Sequence, residues 1–279
     1  MDNGVSRKVE TKGKYLLRVD NISKSFSGLT ALTQVSFGVE RGHIKALIGP
    51  NGAGKTTLLN VVSGILPPNS GHVYYRGKDL TKMRSHEIAA LGLSRSFQLV
   101  RLFTANNAKV MDNLTIGAHL KWKPSIVKCL FLRRSIRHQD QVMRERAYEK
   151  LGFVGLEKAV ANLLPSNLPF GNQRLLEIAR ALMAEPEMLL LDEAASGLNE
   201  AEVEDFRKLL LALRDKGMTI LLVEHNMKLV MDVADEIVVL DFGRKLAEGT
   251  CDEISCNQKV IEAYLGSDYV NTGGGNRSG

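Results

Sequence analysis

The first part of the chain carries short apolar or alternating runs that are bounded by turn residues. The runs read YLLRVDNI, VSFGVERGHIKALIG and GHVYYRG, with a turn at Arg41 and Gly42 inside the second and PPNSG before the third. Runs of this kind, separated by Gly, Pro, Asn and Ser, are typical of β-strands joined by turns. They predict an antiparallel β subdomain near the N-terminus.

Further along, the pattern changes to strand, helix, strand. MLLLD at 188–192 and MTILLVEH at 218–225 are nearly continuous apolar runs, and apolar residues recur at helical spacing over 200–215 between them. Asn199 and Glu202 resemble a capping box at the start of this helix. Buried strands that alternate with helices predict an α/β core with a mostly parallel sheet covered by helices.

The residues from about 85 to 184 have a mostly helical pattern, and we expect an inserted helical subdomain there. The polar ends, 1–13 and 267–279, bury little, and we expect them to be flexible tails around one domain over 14–266. A chain of 279 residues with 44% hydrophobic content is large enough to fill the core of such a domain.

Composition restricts the location more than the function. The chain shows neither an apolar run of about 18 residues nor a secretory leader pattern, so we expect a cytoplasmic protein. The formal net charge is +6, and the stretch 121–146 is locally basic. Two interpretations of this stretch stay open: a surface for the phosphates of lipid or nucleic acid, and a solvated helix face.

The stretch GPNGAGKTT matches the pattern G-x-x-x-x-G-K-[ST], and it lies after a predicted strand and before a predicted helix. In such a loop the backbone N–H groups surround a phosphate, which bulky side chains would block. Lys55 supplies charge to the β- and γ-phosphates, and Thr56 offers its hydroxyl to Mg²⁺. The predicted nucleotide-binding residues are Gly49, Pro50, Asn51, Gly52, Ala53, Gly54, Lys55, Thr56 and Thr57.

Three more polar residues follow predicted strands of the core. Asp192 and Glu193 end the stretch MLLLDE, at the edge where ligands of parallel sheets bind. Asp192 would bind Mg²⁺, and Glu193 would orient and deprotonate the attacking water; helix-capping charges are the alternative. His225 either contacts the γ-phosphate or is an ordinary structural histidine. The tripeptide DFG at 241–243 lacks a kinase H-R-D loop elsewhere, so it predicts a hairpin turn.

Together and in this order, these motifs resemble the ATPases of ATP-binding cassette (ABC) transporters over residues 16–266. The resemblance implies that the α/β core is of the P-loop NTPase type and that 14–266 is one ABC ATPase domain. In that family LPFGNQRLLEIARAL at 168–182 is similar to the signature segment. The ATP-binding subunits of branched-chain amino acid importers are especially similar, on the stretches RSFQLVRLF, DEAASGLN, EHNMKLVMDVAD and AYLG.

The resemblance implies further roles. Phe26 would stack on adenine, and Gln98 would contact Mg²⁺ and relay to a membrane partner. It supports Glu193 as general base and His225 as the γ-phosphate contact. The signature residues Pro169, Phe170 and Gly171 would meet the ATP of a second subunit. Proline has no N–H, so that contact must come from the later main-chain N–H groups.

The resemblance also implies a mechanism, in which two cassettes close on two molecules of ATP and hydrolysis resets them. The expected cofactors are ATP and Mg²⁺. The expected partners are a second ATPase subunit, identical or related, integral membrane permease subunits and, indirectly, a substrate-binding protein; no nucleic acid is expected. The subunit would lie on the cytoplasmic face of the membrane.

Three alternatives remain at the level of sequence. The first is a non-transport ABC ATPase that acts on nucleic acid or ribosomes. The second is an ABC ATPase for another cargo, such as lipopolysaccharide. The third, a small-molecule kinase with the same phosphate loop, does not explain the signature-like segment at 168–182.

Overall fold

The fold was analysed in a computed structural model, which describes residues 14–96, 102–118 and 133–264. The chain divides into two compact units. The first unit contains the residues up to Ile88 and those from Leu210 onward, and the second contains Ala89–Leu209. The predicted tails 1–13 and 267–279 lie outside the described residues. The predicted boundaries 14–266 and 85–184 stay predictions.

The described strands are β1 (Tyr15–Phe26), β2 (Leu29–Glu40), β3 (Ile44–Ile48), β4 (Ser70–Tyr75), β5 (Lys78–Asp79), β6 (Leu93–Arg95), β7 (Met188–Asp192), β8 (Thr219–Val223), β9 (Glu236–Asp241) and β10 (Arg244–Gly249). The described α-helices are α1 (Lys55–Val62), α2 (Ser85–Ala90), α3 (Val110–Gly117), α4 (Arg133–Phe153), α5 (Phe170–Leu182), α6 (Glu200–Asp215), α7 (Met227–Val233) and α8 (Cys251–Ser255). Residues 258–264 form a further helical segment.

An antiparallel sheet in the first unit has the strand order β2–β1–β4–β5. In its register Leu17 lies opposite both Val39 of β2 and Tyr75 of β4, and all three are buried. The alternation of buried and exposed positions along β4 is what one covered face of an antiparallel sheet requires. The predicted antiparallel β portion is therefore confirmed for these strands.

The prediction was wrong for the strand that follows the turn at 41–42. β3 leaves the antiparallel sheet and pairs in parallel with β8 and β9, so that Ala46 lies between Leu222 and Ile237. All five residues of β3 are buried, which leaves no solvent face and suits a strand covered on both sides. β9 and β10 form the antiparallel hairpin predicted at DFG, with Phe242 and Gly243 at positive φ.

A buried cation on β3 contacts acidic residues on β9 and β10. Lys45 of β3 is almost fully buried, and its Nζ lies 2.7 Å from a carboxylate oxygen of Glu236 and 2.6 Å from one of Glu248. Burial raises the pKa of Glu248, but hydrogen bonds from Lys245 and Lys45 outweigh it, and the pKa lies below its ordinary value. Pairing is needed here because an isolated buried charge is costly.

In the second unit, β6 and β7 pair in parallel. The capping box of α6 is present as predicted: Asn199 N donates to Glu202 at 2.9 Å, and Glu202 N donates to Asn199 Oδ1 at 3.0 Å. Buried residues recur along α6 at helical spacing, with Phe206, Leu210 and Leu213 among them.

Of the helices that can be described, none combines the length and apolar content needed to cross a membrane.

Candidate functional site

The loop between β3 and α1 is shaped by its glycines. Gly49, Gly52 and Gly54 have φ values of 149°, 82° and 99°, a region that side chains other than glycine rarely adopt. A Cβ on Gly49 would collide with the carbonyl oxygen of Leu240, and a Cβ on Gly54 would lie 2.7 Å from the carbonyl oxygen of Ala31. The loop therefore requires glycine for its conformation and for its close contact with neighbouring backbone.

The side chain of Lys55 connects the end of this loop to its beginning. Its side chain is buried, and its Nζ donates hydrogen bonds to the carbonyl oxygens of Gly49 at 2.7 Å and Pro50 at 3.0 Å. The N-cap of α1 is Gly54, with no side-chain cap and no acidic residue in the first turn of this fully described helix. The first N–H groups of α1 and the positive end of the helix dipole can therefore bind an anion. Thr56 is exposed beside them.

His225 lies at the same edge of the sheet as this loop. β3 and β8 run in parallel with Leu47 opposite Val223, the loop begins after the end of β3, and His225 comes two residues after the end of β8. Parallel strands end at a common edge, where ligands of α/β sheets bind. The imidazole is exposed, and Asn226, which follows it, caps α7 by accepting a hydrogen bond from Leu229 N at 3.1 Å.

Phe26 is the last residue of β1 and is 41% exposed. One contact of its ring is with Lys24, whose Nζ lies 5.2 Å from the ring centroid. An aromatic ring with this much exposure can stack on a planar ligand, as the resemblance implies.

In the second unit, Asp192 ends β7 and is paired with Arg95, which ends the neighbouring strand β6. Arg95 Nη2 lies 2.8 Å from Asp192 Oδ2, and the two side chains are only 7% and 1% exposed. Asp192 Oδ1 is buried and has no hydrogen-bond partner within the described part of the chain. A buried carboxylate oxygen without a partner fits a Mg²⁺ ligand, directly or through water, because this ion prefers oxygen.

Arg95 was missed as a functional candidate from the sequence. The stretch RSFQ was used only for its resemblance to a subfamily, and an arginine at the end of a strand has many ordinary explanations. Arg95 ends a strand of only three residues, which is too short for an apolar pattern to predict, and its pairing with Asp192 depends on which strands are neighbours.

Glu193 has a strained backbone. Its φ is +51°, an uncommon value for a residue other than glycine, asparagine or aspartate. Such strain persists only where the surrounding structure fixes it, and it is frequent at functional sites. The strained residue directly follows the buried Asp192 at the end of β7, and it is partly buried.

The signature-like segment begins α5. Pro169 is the N-cap, and no side chain of the described residues caps this helix. A Cβ on Gly171 would collide with the carboxylate of Glu202, and a Cβ on Gly197 would lie 2.9 Å from the ring of Phe170. The start of α5 therefore packs closely against the segment that leads into α6, and its uncapped N–H groups can bind an anion.

The structure thus places the predicted residues in two groups. The first unit brings together the phosphate loop and His225, with Phe26 at the end of β1. The second unit contains Asp192, Glu193 and the signature residues 169–171. Gln98 lies outside the described residues, as does the part 121–132 of the basic stretch. The individual roles of these residues stay predictions.

Comparison with solved structures defines the class of fold. A crystal structure described as a nucleotide-free ATP-binding cassette from an ABC transporter is similar with a TM-score of 0.77 and 33% sequence identity, over 89% of this chain and 98% of that one. The ADP conformation of an ATP-binding cassette gives a TM-score of 0.76 at 33% identity, over 90% and 98%. The predicted α/β fold of a P-loop NTPase is therefore confirmed.

Sequence comparisons define the family. The ABC transporter family matches residues 32–196, and a branched-chain amino acid ATP-binding cassette transporter family matches residues 244–270. The high-affinity branched-chain amino acid transport ATP-binding protein BraF of Pseudomonas aeruginosa is 40% identical, over 90% of this chain and 98% of BraF. LivG of Escherichia coli, which has the same description, is 41% identical over the same shares. The chain belongs to the ABC transporter family of ATP-binding proteins, and this membership implies that it binds ATP.

Proposed function

We propose that this protein is the ATP-binding and ATP-hydrolysing subunit of a membrane ABC importer for branched-chain amino acids. The observation that carries the proposal is the loop over 49–54, where glycine backbone, a buried lysine and an uncapped helix start together form an anion site. The cargo is supported by the family match over 244–270 and by the printed names of the relatives BraF and LivG.

Nucleotide binding falls to the residues of the first unit. The N–H groups of the loop hold the β-phosphate, and Lys55 adds charge toward the β- and γ-phosphates. Phe26 stacks on adenine, with little preference for the base because every base has a π-face. His225 contacts the γ-phosphate, and its place at the carboxyl edge shared by β3 and β8 supports this role.

Hydrolysis involves two acids at the end of β7: Asp192 is its last residue, and Glu193 directly follows. Asp192 binds Mg²⁺, together with Thr56 and Gln98, and the partnerless Oδ1 supports this assignment. Mg²⁺, when bound, neutralises charge on the phosphate oxygens. Glu193 orients the attacking water and accepts its proton, and the strained backbone at this residue supports a specialised position.

A second subunit completes the site. Pro169, Phe170 and Gly171 face the ATP of the partner cassette, and the uncapped start of α5 supplies N–H groups for its γ-phosphate. Closure of the two cassettes on ATP moves the integral membrane permease subunits, which receive cargo from a substrate-binding protein. The subunit is cytoplasmic and peripheral on the inner face of the membrane.

Reconstitution tests this proposal. ATP hydrolysis is measured for the chain alone, with its co-purified membrane subunits in vesicles, and with RNA or DNA. We expect hydrolysis to rise with the membrane subunits, to drive leucine uptake, and to stay unchanged with nucleic acid. Stimulation by nucleic acid without any response to membrane subunits would overturn the importer function, and ATP-driven uptake of another cargo only would overturn the choice of cargo.

A further inference from the structure

Two hairpins of the first unit have the same kind of tight turn. Phe242 and Gly243 join β9 to β10 with φ values of 40° and 74°, and Arg76 and Gly77 join β4 to β5 with φ values of 52° and 76°. Positive φ at both central residues is the geometry of a two-residue turn that matches the twist of its strands. This geometry accounts for a glycine in each turn, but it does not account for the further contacts of Gly243.

The surroundings of Gly243 differ from those of Gly77. Beyond its chain neighbours, a Cβ on Gly77 would meet no atom of the described residues within 4 Å. A Cβ on Gly243 would lie 2.5 Å from the carbonyl oxygen of Ala31, and the carbonyl oxygen of Gly243 accepts a hydrogen bond from Thr33 N at 2.7 Å. The turn at Gly243 is therefore in close backbone contact with β2.

The same turn also contacts the phosphate loop. The N–H of Gly243 donates a hydrogen bond to the carbonyl oxygen of Ala53 at 3.1 Å. Ala53 is buried, and its own N–H donates to the carbonyl oxygen of Pro50 at 3.2 Å. The carbonyl oxygen of Leu240, near the end of β9, occupies the place of a Cβ on Gly49. The end of this hairpin thus contacts the loop near both of its ends.

Strand β2 connects the turn and the loop a second time. The carbonyl oxygen of Ala31, which lies against Gly243, would also lie 2.7 Å from a Cβ on Gly54. The main chains of β2, of the turn and of the phosphate loop are therefore in mutual contact. A binding loop that is fixed before its ligand arrives loses less conformational entropy on binding.

Phe242 shows that this turn is held by its surroundings. Asparagine, aspartate or glycine is the usual residue at its position, and a bulky residue with positive φ is an outlier. Its side chain is 88% exposed, so burial of the ring does not offset the strain. Such strain persists only where the neighbouring structure fixes it, and the hydrogen bonds of Gly243 with Ala53 and Thr33 are contacts of that kind.

We infer that Gly243 is a positioning residue for nucleotide binding, which holds Ala53 of the phosphate loop through its main chain. This inference rests on the proposed function, since it assumes that the loop binds nucleotide. It gives a role to the tripeptide DFG at 241–243, which the proposed mechanism does not use. Gly243 acts on nucleotide affinity without contacting the nucleotide.

The first test measures ADP and ATP affinity by calorimetry, with Mg²⁺, for Gly243→Ala and for the matched control Gly77→Ala. Both variants add a methyl group at nearly the same positive φ, but only the methyl group on Gly243 collides with other backbone. We expect affinity to fall about two- to tenfold in Gly243→Ala, the usual contribution of one neutral hydrogen bond, and to stay unchanged in Gly77→Ala. Unchanged affinity in Gly243→Ala would overturn the inference.

A second variant separates the main chain of Gly243 from the side chain beside it. Phe242→Asn replaces the exposed ring by a residue that accepts positive φ more readily, and it leaves Gly243 in place. We expect nucleotide affinity at least equal to that of the unmodified chain. A loss of affinity as large as in Gly243→Ala would show that the ring of Phe242, and not the main chain of Gly243, acts on the site.

Hydrogen exchange without nucleotide keeps this inference distinct from the proposed function. In Gly243→Ala the amide of Ala53 should exchange about two- to tenfold faster, while the interior of α1 exchanges as before and Gly77→Ala changes neither. Unchanged exchange at Ala53 would refute the positioning role even if ATP binds. A chain that binds no nucleotide at all would instead refute the proposed function.

The unmodified chain gives a test that does not depend on whether Gly243→Ala folds. Since the N–H of Gly243 is bound to Ala53, its amide should exchange at least about two- to tenfold more slowly than the amide of Gly77 in the equivalent turn. Exchange at Gly243 as fast as at Gly77 would overturn the inference.

Discussion

The ion pair between Arg95 and Asp192 allows a sharp prediction, because it is buried while the pair between Arg146 and Glu185 in the same unit is exposed. Arg95→Met removes the cation and keeps an unbranched side chain of similar length. The carboxylate of Asp192 is then left uncompensated at 1% exposure. Loss of one partner from a buried pair typically costs about 3–5 kcal/mol, and we expect a loss of unfolding free energy in this range.

The matched control lies in the same unit and has a shorter distance. Arg146 Nη1 is 2.6 Å from a carboxylate oxygen of Glu185, but the two side chains are 40% and 45% exposed. Exposed pairs contribute at most about 1 kcal/mol, so we expect Arg146→Met to cost less than that. Burial, and not the N···O distance, decides the order of the two effects.

Urea unfolding followed by circular dichroism measures both free energies, because urea does not screen charges as guanidinium does. In the double variant Arg95→Met, Asp192→Asn, the side chain at 192 is neutral. We therefore expect the double variant to regain part of the unfolding free energy that Arg95→Met loses, which a double-mutant cycle measures. The reasoning fails if Arg95→Met costs no more than Arg146→Met, or if the double variant costs the full sum of the single ones.

Three further predictions follow from the geometry. Gly49→Ala should lower the unfolding free energy by about 2–4 kcal/mol and weaken ATP binding, because it adds a backbone collision to strain at positive φ. The control Gly77→Ala, at φ 76° in open space, should lower the unfolding free energy by only about 1–2 kcal/mol. Equal losses for the two variants in thermal unfolding would contradict this. The pKa of Glu248 is lowered in the folded state, so its stabilising contribution is present above the ordinary glutamate pKa of about 4.3 and is lost as the pH falls further. Glu248→Gln should therefore reduce the dependence of the unfolding free energy on pH below about pH 5. An unchanged pH dependence would refute this. Glu193→Gln should retain ATP binding while hydrolysis falls by about 10²- to 10⁴-fold, and near-normal turnover would remove its role as base.

Much of the core was predictable from sequence because local signals there agree with the tertiary structure. The apolar spacing and the capping box predict a helix over 200–215, and the observed helix α6 has the same bounds, Glu200–Asp215. The phosphate loop carries its own evidence in three glycines, each of which has the positive φ that only glycine adopts at low cost.

The parts that the sequence did not reveal depend on contacts between distant segments. The pairing of Arg95 with Asp192 follows from the parallel neighbours β6 and β7, which no local pattern specifies. The stretch IKALI was assigned to the wrong sheet because a short apolar run does not say which strands it joins.

The most direct test of the account is a titration of the folded chain with ATP in the presence of Mg²⁺, beside the variant Lys55→Ala. Lys55 is a buried cation whose hydrogen bonds close the loop at Gly49 and Pro50, and a hydrogen bond to a charged group contributes about 1.5–3 kcal/mol. We therefore expect saturable binding by the unmodified chain and affinity lowered about 10- to 100-fold in Lys55→Ala. No uptake of ATP by the folded chain, or equal affinity in the two proteins, would contradict it.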